Sequence, residues 1–482
     1  MEILKIIYLS NTLMDELAHE IQQLKNILDT LSPPPPMTEH EHQLLVETAA
    51  CLIDDLISND TMMYANPNFD NLVHEEVCSL IELHMDQVFD YDVRDLIDKA
   101  VSEARFVFHT HVCPRRSYPK TFIRRAPNIQ SMQGKLTYLQ NVPQPDQRTP
   151  EWYHFRHNFL TASSIWKAFG SQRLQDQLIY DKCKPLNVEK YKNFSTESPL
   201  HWGQKYEDVS IQWYEKTYGT KVSDFGCIPH PTVKFLAASP DGINTDSSSQ
   251  RYGRMLEVKN IVNREITGIP KLEYWIQMQL QMEVCNLNEC DFLETRFKEY
   301  ESKEEFMADG EFHATASGKP KGVMMFFMKE GQPLYEYAPF GCSEVEFNGW
   351  EQQIMMKHSG LTWMQNIYWY MDEVSCILVL RNKTWFEAAL PQLKRLWGII
   401  EKEKVGDYSH RAPNRKPKVK TSPEIKPAKC YIDISALLEG SAHTEKVAVV
   451  PKTPSPVQNQ VITIQTETLD TTHAQSPGDD SK

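Results

Sequence analysis

The sequence predicts an α/β protein, and three observations carry that class. Short runs rich in β-branched and aromatic residues, Val233 to Ala238, Arg254 to Asn260, Asp291 to Phe297 and Lys321 to Met328, read as strands, with Leu334 to Tyr337 a short hairpin partner. Longer stretches of helical periodicity lie before and between them, including the run KLEYWIQMQLQMEVCNL that separates the second strand from the third. The chain has 482 residues and is 41% apolar, enough for two or three ordinary domains or one large decorated one with a real core.

No run of eighteen apolar residues occurs, and the first residues lack a basic start and a small-residue cleavage site, so we expect neither a membrane span nor a signal peptide. The ten cysteines are scattered without paired spacing, which fits a reducing interior. Cys285 and Cys290, the nearest pair, read as buried thiols, and His109, His111 and Cys113 alternate as though on one face of a strand. A formal charge of −14 argues against nonspecific coating of nucleic acid by the whole surface, so any nucleic-acid groove must be a local basic patch.

Taken in order, residues 1 to 31 carry Leu13, Leu17, Ile21, Leu24 and Leu28 at helical spacing until Pro33 to Pro36 stop the pattern. From Glu41 to about Ala104 the text is helical and acidic. The expected organisation is a helical subdomain over 1–110, an α/β core over 111–405 and a tail over 406–482. The tail is rich in Pro, Ser, Thr, Lys and Gln and should be disordered. Its basic section from Arg411 to Lys420 reads either as a nuclear targeting patch or as a solubilising run.

Between Cys113 and Asn128 the charge reverses. Arg115, Arg116, Lys120, Arg124 and Arg125 occur without an intervening acid and with Tyr118 and Phe122 among them, a pattern that fits a DNA-backbone contact or a basic surface loop. At Arg148 a second signal begins, RTPEWYHFRHNFLTASSIWKAFG. Glu151, Trp152 and Phe155 open a helix, Arg156 follows Trp152 by one turn, and Thr161 can cap a further helix whose first N–H groups, with the Ser163 hydroxyl, could hold a phosphate. The alternative is an ordinary cap and a surface arginine.

In LHWGQKYEDVSIQWYEKTYG, Glu207 shares a helical stripe with Ile211 and Tyr214, and Gly219 supplies the stop. An acid on an inward helix face is costly unless it is paired or holds a metal, although a solvated glutamate at the stripe's edge is the alternative. The turn triplet Pro240-Asp241-Gly242 then joins two strands. The period of two in the second strand puts Glu257 and Lys259 on one face and Leu256 and Val258 on the other. A hairpin therefore brings Asp241 and Glu257 together. In the following helix Tyr274, Gln277 and Gln281 form one polar stripe amid Ile276, Met278, Leu280 and Met282, which is better explained by a catalytic cleft than by a free surface.

A Pro-Asp followed by Glu-x-Lys is the pattern of the PD-(D/E)XK nucleases, yet it arises by chance in roughly one chain in ten of this length. Order adds specificity. EWYHFRHNFLTASS, GQKYE, SPDG, LEVKN and YWIQMQLQM follow one another as in the lambda-exonuclease-like branch, and the chain over about residues 110 to 405 resembles the herpesvirus alkaline nucleases, of the betaherpesvirus, roseolovirus type.

That resemblance implies a PD-(D/E)XK core with a central mixed sheet flanked by helices. It implies a magnesium-dependent deoxyribonuclease, with manganese as a substitute ion, that degrades linear duplex DNA from the 5′ end, has some endonuclease activity and works best at alkaline pH. Asp241 and Glu257 are implied as metal ligands together with the Val258 carbonyl. Lys259 stands beside the attacking water, Glu207 is the helix carboxylate of the site, Gln277 is the glutamine of the next helix, and Arg156 and Ser163 hold a terminal 5′ phosphate. Lys259 either stays charged and steadies the transition state or, neutral, accepts a proton from water and contributes to the alkaline optimum. A monomer, a viral single-strand DNA-binding protein as partner and a nuclear or also cytoplasmic location complete the expectation. Two alternatives stand beside it: a nuclease that also cuts RNA in host shutoff, and a noncatalytic DNA-binding or packaging scaffold.

Overall fold

The structure, a computed structural model, describes residues 19–24, 37–85, 94–119, 128–187 and 198–413. Lys120, Phe122, Arg124 and Arg125, most of the expected first helix and the chain beyond 413 lie outside the described residues.

The described residues form a mixed α/β fold. Residues 19–24 are helical, and three helices follow: α1 (Glu39–Asn59), α2 (Phe69–Met85) and α3 (Arg94–His111). Thr38 starts α1 with a capping box, its hydroxyl accepting from Glu41 N–H while the Glu41 carboxylate reaches back to Thr38 N–H. Their apolar stripes, among them Ile53, Val77, Ile97 and Val101, are buried in one continuous core with the later helices. The alternation of His109, His111 and Cys113 does not form a strand: the two histidines are in the last turn of α3, and Cys113 lies just beyond it. The α3 pattern of Ile97, Ala100, Val101, Ala104 and Phe108 extends the helix over the histidines.

Next come α4 (Ile129–Asn141), α5 (Pro150–His157), the two-residue strand β1 (Leu160–Thr161), a single helical turn α6 (Ala162–Ile165), α7 (Gln172–Cys183) and the long α8 (Pro199–Tyr218). Ser198 caps α8 by accepting from His201 N–H, Pro199 occupies its first turn, and Gly219 ends it with φ 56°, where a side chain would be strained.

The remaining strands are β2 (Val222–Ser223), β3 (Ile228–Pro229), β4 (Leu236–Ala238), β5 (Gly242–Asn244), β6 (Met255–Asn260), β7 (Glu289–Glu299), β8 (Lys321–Lys329), β9 (Gln332–Tyr337) and β10 (Thr362–Leu380). Helices α9 (Leu272–Cys285), α10 (Lys303–Ala308), α11 (Glu344–Lys357) and α12 (Lys383–Val405) complete the fold. The main sheet has seven strands in the order β2-β5-β6-β7-β10-β8-β9. Only β6 and β7 run parallel in it, and α9 supplies the crossover that a parallel pair requires. A small sheet, β1-β4-β3, lies beside it.

Strand β10 is the long spine of the sheet. Its first half pairs with β8 and its second half with β7, with a register shift between Met371 and Glu373 at the polar break in its apolar text. The aromatic and apolar text from Trp363 to Leu380 thus forms one strand across its polar middle.

Strand β6 is covered on both faces. Met255 packs into the core that contains α9, while Leu256 and Val258 pack with Tyr206, Val209 and Trp213 of α8 on the other side. Glu257 and Lys259 follow Met255 by the period of two and so face α9. The β5–β6 connection is anchored by buried charge. Asp291 accepts from Tyr214 Oη at 2.6 Å and Arg254 Nη1 at 3.1 Å and also pairs with Arg251.

Among the described residues no helix is long and apolar enough to cross a membrane. Nine of the cysteines are described and all are free, Cys285 and Cys290 being buried as expected.

Candidate active site

The site grows from the turn after β4. Gly242 is required there, because a Cβ would sit 2.2 Å from the Val222 side chain. The turn lets the Asp241 carboxylate accept from the Val258 N–H at 2.8 Å, which locks Asp241 to the middle of β6. Glu257 is fully buried at 0% exposure. Its two oxygens are gripped from α9 by Gln277 Nε2 at 2.6 Å and Gln281 Nε2 at 2.7 Å, one helical turn apart. Lys259 donates to Glu257 and to the Val258 carbonyl at 3.2 Å, and its Nζ lies 4.0 Å from Asp241 Oδ2.

An ammonium group therefore rests where two carboxylates and a backbone carbonyl converge. These three donors are hard oxygens, and they fit a magnesium- or manganese-class cation. Asp241, Glu257 and the Val258 carbonyl would hold it. Such a cation lowers the pKa of water and neutralises charge building on a phosphoryl group.

Electrostatics reflect the crowding of acids. Burial, then the neighbouring Asp241, pushes the Glu257 carboxyl up, against Lys259 and Gln281. Burial alone would lower the Lys259 ammonium, but Glu257 and Asp241 outweigh it and hold Lys259 above the usual lysine range. That direction opposes the expectation of a neutral Lys259 acting as a base and favours the charged role. Glu207, near Asp241, is pushed up to about 8 by burial and by that carboxylate, with Arg148 pulling the other way. Arg148 Nη2 donates to Glu207 Oε2 at 2.6 Å.

The second half of the site lies on α5. Thr149 caps this helix by accepting from Trp152 N–H at 3.2 Å. Arg156, one turn after Trp152, places its guanidinium 4.0 Å from the centre of the indole ring and donates to Ser163 Oγ at 2.7 Å. Behind it, buried Lys182 donates to the Arg156 carbonyl at 2.8 Å; burial, then Arg156, draws its ammonium down to about 7. Thr161 does not cap the helix that follows, which is one turn long; its hydroxyl is 3.4 Å from Ser164 Oγ. A helix so short offers little dipole, so the Arg156–Ser163 pair is what remains of the expected phosphate pocket.

One cleft of about 700 Å³ joins the two halves. Arg148, Arg156, Ser163, Glu207, Asp241, Val258, Lys259 and Gln277 all line it. The basic segment upstream does not join them in the expected way. Arg116 is 3% exposed, donates to the Ala65 carbonyl at 3.2 Å and lies against the Trp275 ring, so it is a core residue and not a DNA contact. Arg115 is exposed and lines a separate cavity with His109 and Tyr118. Arg124 and Arg125 lie outside the described residues.

Sequence reasoning left Gln281, Arg148 and Lys182 without a role. Gln281 was on the recognised stripe of α9 and could have been assigned with Gln277. Arg148 opens the RTPEW motif. Lys182 had no signal, because only the tertiary contact with Arg156 reveals it.

Around this cluster stands a mixed α/β core, its mixed sheet flanked by helices. Residues 151–288 match the model of the YqaJ-like viral recombinase domain. An uncharacterised protein of Acanthamoeba polyphaga mimivirus is 28% identical over an alignment of 335 residues that covers 61% of this chain. The match spans 58% of that mimivirus protein. Among solved structures, the alkaline exonuclease LHK-Exo from Laribacter hongkongensis is similar at 16% identity and a TM-score of 0.31, covering 53% of this chain and 94% of that one. A phage related exonuclease from Haemophilus somnus is similar at 12% identity and a TM-score of 0.27, covering 52% and 96%.

Proposed function

We propose that the chain is a metal-dependent deoxyribonuclease that hydrolyses linear duplex DNA from the 5′ end. The observation that carries this reading is the cleft lined by Asp241, Val258, Lys259, Arg156 and Ser163, with buried Glu257 bonded to Lys259 behind it. The match of residues 151–288 to a viral recombinase domain supports it.

In this reading magnesium, or manganese in its place, is the ion held by Asp241, Glu257 and Val258. Asp241 and Glu257 orient it, and Gln277 and Gln281 keep Glu257 from rotating out of the site. Lys259, held charged, steadies the negative charge that builds on the phosphoryl oxygens as water attacks. Arg156 and Ser163 grip the terminal 5′ phosphate, with the Trp152 ring fixing the guanidinium plane. No histidine lines the cleft among the described residues, so proton transfer is left to water and the acids.

The finer parts of the reading rest on motif order. They are an alkaline nuclease of the herpesvirus, betaherpesvirus type, some endonuclease activity, and a role in processing, recombination and packaging of viral DNA. A monomer, a viral single-strand DNA-binding protein as partner and a nuclear or cytoplasmic location belong to the same proposal. The test is release of nucleotides from linear duplex with and without a 5′ phosphate, in magnesium and in chelator. Magnesium-dependent release that prefers the phosphorylated end is expected. Failure to cut any linear duplex in magnesium or manganese would overturn the reading.

A further inference from the structure

Helix α5 carries Trp152 and Arg156 into the cleft, yet none of its 8 residues is buried. Short helices hold their place mainly through an apolar face packed on neighbours, and α5 lacks one. Ser163, the other half of the phosphate grip, is placed differently. It follows buried Leu160, Thr161 and Ala162, and the first two pair in register with Leu236 and Ala237 of β4. The core therefore fixes Ser163, whereas polar contacts must fix Arg156.

Those contacts gather at the two ends of α5. At its start Thr149 caps the helix, and Trp152 Nε1 donates to Ser239 Oγ at 3.2 Å. At its end α5 exchanges bonds with the end of α7. Lys182 Nζ donates to the Arg156 carbonyl at 2.8 Å, and His157 Nε2 donates to the Lys184 carbonyl at 2.9 Å. Helix α7 is itself seated in the core through Leu178, Ile179 and Cys183, so it offers a fixed anchor. A carbonyl in the last turn of a helix has no helical partner, which leaves the Arg156 oxygen open to an outside donor. Lys182 is 9% exposed, and a buried ammonium is costly. A methionine would fill that space without the cost, so the packing of α7 does not account for a lysine.

We propose that Lys182 is a positioning residue for the choice of DNA end: with His157 as its counterpart, it latches the end of α5 to α7 and holds the Arg156 guanidinium against Ser163 Oγ, where a terminal 5′ phosphate is gripped. The proposal deepens the nuclease reading above and rests on it. A guanidinium recognises phosphate through a planar fork, and a misplacement of about 1 Å in a well-fitted site costs on the order of 10²-fold. The Trp152 ring steadies the guanidinium plane but sits on the same helix, so it does not fix the end of that helix. Lys182 acts on the DNA end through Arg156.

The test uses the full chain. In magnesium, kcat/KM on a linear duplex with a 5′ phosphate is compared with kcat/KM on the same duplex with a 5′ hydroxyl. Lys182→Met keeps an unbranched stem and removes the donor, and His157→Phe keeps a ring and removes the reciprocal bond. Each is also placed in an Arg156→Ala background. Each single variant is expected to lower the preference for the phosphate by about tenfold. Turnover of the hydroxyl-ended duplex and calorimetric manganese affinity should stay within about twofold of wild type. In the Arg156→Ala background neither substitution should lower the preference further, because an effect carried by the guanidinium vanishes with it. A merely structural role would lower turnover at both ends alike and add to the loss caused by Arg156→Ala.

A preference within about twofold of wild type in either variant would overturn the proposal, as would equal losses at the two ends or a further loss in the Arg156→Ala background. Should Lys182→Met fail to fold, His157→Phe decides alone, since its ring is only partly buried. If wild type cuts linear duplex without preferring the phosphate, the proposal falls while cleavage stands. If wild type cuts no linear duplex in magnesium or manganese, the nuclease reading fails and takes the proposal with it.

Discussion

Gln281 donates its amide to Glu257 at 2.7 Å while sharing that same nitrogen with the Ser239 carbonyl at 3.2 Å, so one side chain ties β6, α9 and the turn before Asp241 together. Loss of an outer partner of a metal ligand costs about 10–100-fold in metal affinity. Gln281→Leu keeps the volume and removes the donor. Its manganese affinity, measured calorimetrically, is expected to fall by at least about tenfold with the fold retained. Wild-type affinity in this variant would show that Gln277 alone positions Glu257.

Glu207 sets a pH dependence of stability. Its folded value of about 8 lies above the ordinary 4.5, so the folded chain holds this proton more tightly than the unfolded chain. The stabilisation is complete below the ordinary value and is lost as pH rises through 8. Thermal unfolding in chelator should therefore show Tm declining between about pH 5 and pH 9, and Glu207→Gln should flatten part of that decline. An unchanged slope would mean that Glu207 is not protonated in the folded protein.

Arg156 is expected to decide which DNA ends are used. Arg156→Ala loses both the Ser163 hydrogen bond and the stack on Trp152. Charge-assisted hydrogen bonds are worth about 1.5–3 kcal/mol, so the preference for a 5′-phosphorylated end over a hydroxyl end should drop by about tenfold or more. Competition between the two duplexes measures it. A preference equal to wild type would place the phosphate elsewhere.

The anchor of the β5–β6 connection should be structural. Asp291 is 1% exposed and serves Arg251, Arg254 and Tyr214 together. Asp291→Ala strands buried arginine charge, which costs about 3–5 kcal/mol, read as a lowered midpoint in urea. Unchanged stability would mean that water replaces the carboxylate.

Much of this architecture was legible because it depends on local rules. The turn at Pro240-Asp241-Gly242, the period of two through Glu257 and Lys259, and the helical turn from Gln277 to Gln281 are short-range patterns, and the structure brings these side chains together as the patterns predict. The single strand β10 was less legible, since its polar break at Asp372 is absorbed by a register shift in its pairing with β7. Charge proved a poor guide to exposure. Arg116 and Arg115 are adjacent in a basic run, yet one is buried against Trp275 and the other is exposed. Arg411, expected to open a basic tail patch, instead pairs with Glu403 and Asp176 at the end of α12. Those outcomes are set by contacts between residues far apart in sequence, to which composition is blind.

The central claim, that Asp241 anchors the metal in a DNA-cutting cleft, is tested most directly by Asp241→Asn, which keeps the shape of the carboxylate and removes its charge. Magnesium-dependent release of nucleotides from a 5′-phosphorylated linear duplex is the measurement, alongside duplex binding and thermal unfolding of the same preparation. Release is expected to be abolished while binding in chelator and folding persist. Turnover at the wild-type rate would contradict it.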